Sequence, residues 1–235
     1  MMPNEKRYLY LAAAVISGLV VLFIFVHSID ETIRVSLIRE GGPIELLSAT
    51  CYCIVPLIMF IKGGWSFIRR HASLAVLVSA LGMRELDFNA RFTMMSITKI
   101  KFFLSPQVPL VEKIIAVLVI LILLAALVDC LKKYLRPFLA GCAKKDVVSM
   151  TAGVSLLFMA ISKSLDGLPR KLRSLGLDIA GQSSLYAESA EEILELGIPL
   201  MLIISTLAHF SRHALKTDTP SFPETNKPSA QRDSG

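Results

Sequence analysis

The stretch "AESAEEILELGIPLMLII", residues 187–204, opens with four glutamates and is wholly apolar from Ile198 onward. Glu188, Glu191, Glu192 and Glu195 are spaced i, i+3, i+4, i+7, which on a helix sets all four in one stripe. Like charges so close repel, and an ionised carboxylate carried into hydrocarbon costs about 2.5–3.5 kcal/mol even on a lenient insertion scale. Glu188–Glu192 fit an outer interface at a helix N-terminus, where the macrodipole favours anions by up to ~1 kcal/mol. Glu195 lies about a turn deeper, where that benefit fades, so it needs a partner, water or a proton.

Other polar residues interrupt apolar runs in the same manner. Glu45, Ser48 and Tyr52 share a face after the turn "GGP". "RELD" brings Arg84, Glu85 and Asp87 to the end of a short apolar run. Thr151, Ser155, Ser162 and Asp166 form one stripe with Lys163 beside it, and His27 closes the first apolar run ahead of Asp30 and Glu31. The deep or near-deep acids Glu45, Glu85, Asp87, Asp166, Glu192 and Glu195 outnumber the bases Arg84 and Lys163, leaving an excess of four negative charges if all ionise. Crowded carboxylates relieve such an excess by keeping protons or by recruiting a cation. The candidate cation-, proton- or substrate-binding set is Glu45, Arg84, Glu85, Asp87, Lys163, Asp166, Glu191, Glu192 and Glu195. Metal candidates are His27, Glu85 and Glu195, a carboxylate-rich set suited to a divalent cation such as Mg²⁺ or Mn²⁺ rather than to zinc. Plainer readings stand beside these. Lys163 with Asp166, and Arg84 with Asp87, fit ordinary i,i+3 pairs; Glu45 fits a first-turn acid; serines on membrane helices commonly serve as packing glue.

The elements that must position these residues are membrane helices. Of 235 residues 54% are hydrophobic and 19% charged, with a mean hydropathy of +0.61, well away from soluble-domain composition. The expectation is an all-α integral membrane protein: a bundle of about six transmembrane helices near 8–26, 44–61, 72–88, 111–128, 147–165 and 191–208. The first reads as an uncleaved span rather than a signal peptide. The third is short: "ASLAVLVSALGM" covers only about 18 Å at 1.5 Å per residue, which carries "RELD" into the membrane or its edge. Between Lys113 and Asp129 the fourth run holds no polar side chain, and it is expected to face lipid. Leucines at helical spacing through 165–179, and the segment 91–104, predict amphipathic interfacial helices in the outer connectors. Residues 216–235 have almost nothing to bury and read as a disordered cytoplasmic tail.

Connectors 62–71 and 129–146 carry 8 basic residues in 28, against 9 in 69 for the opposite connectors, which places both termini in the cytoplasm. By the same orientation, 13 of the 19 acidic residues fall on the non-cytoplasmic side. The net charge of +6 then reflects membrane orientation and anionic lipid headgroups, not nucleic acid. Four cysteines give no disulfide framework, and no Walker loop, G-x-G-x-x-G, C-x-x-C or H-E-x-x-H occurs. The leading expectation is cation- or proton-coupled transport of a small solute across a bacterial cytoplasmic membrane. A carboxylate-metal enzyme acting on a lipid or headgroup is the second, and a non-catalytic scaffold or sensor the third.

Overall fold

A computed structural model describes residues 3–39, 41–86, 100–168, 171–172 and 182–217. Asp87, most of the 91–104 and 165–179 segments and the tail from 218 onward lie outside the described residues. The described residues form helices and no strand: α1 (Pro3–Ser28), α2 (Glu31–Ile38), α3 (Pro43–Arg70), α4 (Ala72–Glu85), α5 (Ile100–Leu104), α6 (Leu110–Ala143), α7 (Val147–Leu165) and α8 (Gln182–Thr217). Among them, five stretches are long and apolar enough to cross a bilayer: Glu5–Ser28, Glu31–Arg70, Leu110–Ala143, Val147–Leu165 and Ser184–Arg212. A helix suits that setting because its backbone groups bond to one another where water is absent.

One expectation, the count of about six spans, is not confirmed, and two are corrected. The run 72–88 does not make a sixth stretch of spanning length. Its helix α4 has 14 residues, about 21 Å against ~30 Å of hydrocarbon, and helical geometry ends where Arg84 and Glu85 turn to partners in the bundle. The basic segment 129–146 is not a loop, since α6 continues through Lys132, Lys133 and Arg136 to Ala143. Finally, α8 begins at Gln182 rather than near Glu191. Its dipole end is therefore more than a turn before Glu188, and the macrodipole does not account for the glutamate stripe.

Residue chemistry sets the helix boundaries. Pro43 sits in the first turn of α3, where its missing N–H costs nothing. Near the other end, Gly64 has φ +69° and ψ −177°, a backbone state essentially closed to other residues, and it breaks α3 just before the exposed Trp65. Asp146 caps α7 by accepting from the backbone N–H of Ser149 at 3.3 Å.

Burial ranks the helices. In their most apolar windows, 56% of α8 is buried but only 11% of α6, so α8 is central and α6 presents nearly its whole circumference to the surroundings. α8 packs mainly on α7, α3 and α1, while α4 lies between α3 and α6. Antiparallel α3 and α4 bury Tyr52, Val55 and Met59 against Ala75 and Val78. Gly82 lets them approach there, since a Cβ would lie 2.8 Å from the Tyr52 Cβ. Two serines tie α7 to α8: Ser155 Oγ donates to the Ile198 carbonyl at 3.2 Å and Ser205 Oγ to that of Val148 at 2.9 Å. At the far end of α8, Arg212 bonds both Asp146 and, at 3.0 Å, Glu5, joining α8 to the starts of α7 and α1.

Candidate functional site

Glu195 lies on the buried face of α8 and is 8% exposed. Three side chains from two other helices reach one of its oxygens. Arg84 Nη2 of α4 donates to Oε1 at 2.7 Å, Ser162 Oγ of α7 donates at 2.9 Å, and Lys163 Nζ of α7 stands at 3.7 Å. These supply the partners that a carboxylate at this position requires. A fourth helix takes hold of the same residue through its backbone. Pro199 has no N–H to give the Glu195 carbonyl, and Ser48 Oγ of α3 donates to that carbonyl at 3.3 Å. Ser48 and Ser162 are both fully buried.

Arg84 Nη2 also lies 3.2 Å from Glu85 Oε1. One guanidinium nitrogen thus bridges two buried carboxylates, whose oxygens are separated by no more than the sum of the two bonds. Exposure is uneven across the junction. The side chains of Arg84 and Lys163 are 42% and 44% exposed, while those of Glu85 and Glu195 are 3% and 11%. The cations are open to the surroundings and the acids are almost closed off from them.

A looser acidic surround follows. Lys163 pairs at 2.9 Å with Asp166, the residue just past α7, and this ammonium hydrogen bond holds the Asp166 carboxyl below its usual range. Half-buried Glu191 has Asp166, Glu195, Lys163 and Arg84 as charged neighbours; Glu192 has Glu195, Glu45, Glu191 and Glu85. Glu45 Oε2 accepts from the Gly41 N–H in the turn before α3. Glu188 is exposed and accepts from Ser184 Oγ at 3.0 Å, on the outer part of the stripe.

Of the nine candidate binding residues, Arg84, Glu85, Lys163 and Glu195 are in direct contact. Asp166 joins through Lys163, and Glu45, Glu191 and Glu192 stand around them. Asp87 lies outside the described residues. The metal candidates His27, Glu85 and Glu195 do not form one ligand set, and no group of three or more His, Cys, Asp and Glu among the described residues is arranged to hold a metal ion. His27 instead stacks on Tyr186 with centroids 4.2 Å apart, its Nδ1 bonded to the Phe23 carbonyl at 2.8 Å. At the opposite end of the bundle, the cluster of Glu5, Asp146 and Arg212 is absent from the expected set. Its sequence signal is Asp146 three residues before Ser149 at the head of an apolar run, the signature of a capped helix start.

No known protein family, curated protein or solved structure matches the chain. By class, the described residues are all helical and include five stretches whose length and apolar character suit a polytopic membrane protein. Its charged junction joins four helices around Glu195.

Proposed function

We propose that this protein couples movement of a proton or small cation to transport of a small solute, with Glu195 and Glu85 as the groups that take up the cation and Arg84 and Lys163 as their counter-charges. Asp87, Asp166, Glu45, Glu191 and Glu192 form the acidic approach. In this reading the chain sits in a bacterial cytoplasmic membrane with both termini cytoplasmic. α4 enters the bilayer partway as the sixth element, and the junction faces the non-cytoplasmic side. The exposed face of α6 meets lipid tails, and the basic residues at its Lys132–Lys145 end meet anionic headgroups.

One observation carries the reading: a buried glutamate on the central helix whose carboxylate is held from two other helices and whose backbone carbonyl is held from a third. Cation binding at such a point alters helix–helix contacts directly, and that is the coupling a carrier requires. The test is proteoliposomes loaded with a pH-sensitive dye and given a proton or sodium gradient. Gradient-driven proton movement in the wild type, lost in Glu195→Gln and in Glu85→Gln, supports coupling. Stoichiometric Mg²⁺ or Mn²⁺ retained on purification and lost in Glu195→Gln would favour the enzyme instead. Unchanged behaviour after joint neutralisation of Glu85 and Glu195 would leave a scaffold.

A further inference from the structure

α8 is held differently above and below Pro199. Below it, Met201 and Ile204 pack with Ala12 of α1, Ala208 is buried, Ser205 bonds the Val148 carbonyl, and Arg212 clamps Asp146 and Glu5. Above it, among the described residues, one tie each to α3, α4 and α7 converges on Glu195, while Ser155 Oγ of α7 holds the Ile198 carbonyl at the joint itself. The remaining contacts of that arm include Ile193 and Leu196 on Leu19, Val26, Ile38 and Ile44, and apolar contacts of this kind are non-directional. Between the two parts the helix is weakened in its own backbone. Pro199 removes one i→i−4 bond. Gly197 brings no side chain, and a Cβ there would meet Phe158 at 2.7 Å and Leu19 at 2.8 Å.

We propose that Gly197–Pro199 is a joint in α8, and that the links through Glu195 are the catch holding the arm Gln182–Leu196 against α3 and α4. When the catch is lost the arm tilts, while the Arg212 end stays fixed to α1 and α7. Ser48 has a specific part in this device, because it occupies the carbonyl that Pro199 leaves unbonded and so sits across the joint. The inference does not require that the protein transport anything. A jointed arm without flux and flux without a jointed arm are separately observable.

Spin-label distance measurements on the full chain in lipid nanodiscs test it, in a background with Cys51, Cys53, Cys130 and Cys142 replaced. One label pair at Leu47 and Glu188 reports the arm, and another at Lys6 and Arg69 reports the opposite end. A tilt of ~20° about Pro199 moves position 188, about 16 Å along the helix, by roughly 6 Å. Glu195→Gln is expected to lengthen or broaden the first distance by about that amount and leave the second unchanged. Adding Pro199→Ala, which restores the backbone donor, is expected to return the first distance to its wild-type value. Arg84→Gln breaks the same catch from its exposed side and serves if Glu195→Gln does not fold. A first distance that does not move in either variant overturns the proposal, as do two distances that move together, or a Pro199→Ala combination that behaves like the single variant.

Discussion

At the scale of single residues, Glu195 is the most constrained group in the protein. A buried carboxylate is expensive alone and stable once donors and cations surround it. Glu195→Gln keeps the shape and an acceptor oxygen but removes the charge that Arg84 and Lys163 answer. Loss of a charged hydrogen-bond partner costs about 1–3 kcal/mol. Both cations are more than a third exposed, which screens them and discounts the loss to about the middle of that range. Ser162→Ala removes one hydrogen bond and leaves both cations, for about 1 kcal/mol. Melting temperatures in detergent should therefore fall in both variants, and further in Glu195→Gln. At the opposite end, burial pushes the Asp146 carboxyl up, but the Arg212 guanidinium and the two bonds from Ser149 outweigh it and hold the group below its usual range. A depressed folded-state pKa means the contribution is fully present above the unfolded value of about 3.9 and is lost as pH falls through the folded value. Asp146→Asn keeps a good cap and removes the charge. Its melting temperature should lie below the wild type at pH 7, and the gap should close below about pH 4; a constant gap from pH 7 to pH 3 would dismiss the charge pairing with Arg212.

Among the helices, close approach of α3 and α4 sets where Arg84 and Glu85 arrive. A Cβ on Gly82 would strike the Cβ of Tyr52, an atom fixed to the α3 backbone, so Gly82→Ala forces the helices apart. Overpacking of this kind costs about 1–3 kcal/mol. At Gly197 the obstructing atoms are side-chain atoms, the ring edge of Phe158 and a methyl of Leu19, which can shift more readily than an atom fixed to a backbone, and alanine's better helix propensity returns up to ~1 kcal/mol. Gly82→Ala should lower the melting temperature clearly and Gly197→Ala only slightly; equal losses would refute this account of α3–α4 packing. The same contrast shows what the sequence could and could not tell. Polar residues such as Glu195, Ser162, Arg84 and Lys163 stand out because each interrupts an apolar run, and helical spacing gives their faces. The shortness of α4 was likewise legible from twelve apolar residues. Helix ends were not: α6 runs on through charged Lys132–Arg136 because a helix outside hydrocarbon tolerates charge, and α8 starts at Gln182 among residues of no distinctive pattern. Which cation meets which acid was not legible either, because it depends on crossings between helices far apart in sequence. Nor did hydropathy foretell the Arg212 clamp, whose members Glu5 and Arg212 lie 207 positions apart.

For the whole molecule, the distribution of exposure describes how the bundle meets a bilayer. α6 shows leucines, valines and isoleucines outward along its length, from Leu110 and Val111 to Leu135 and Leu139. Trp65, the single tryptophan, is 65% exposed beside the Gly64 break and between Lys62 and Arg69, a setting that matches an anchor at the headgroup level. Its fluorescence in liposomes should be quenched more by lipids brominated near the headgroup than by lipids brominated near the chain end. The reverse order would move this end of α3 into the hydrocarbon. The central proposal is that Glu195 exchanges charge with its surroundings past the partly exposed Arg84 and Lys163 side chains. The most direct measurement is the capacitive current of proteoliposomes adsorbed on a solid-supported membrane during a rapid pH jump, which needs no known substrate. The account predicts a transient current in the wild type and in Asp129→Asn, an acid outside the junction paired with Lys133 on α6, and none in Glu195→Gln; equal transients from wild type and Glu195→Gln, with both proteins folded, would contradict it.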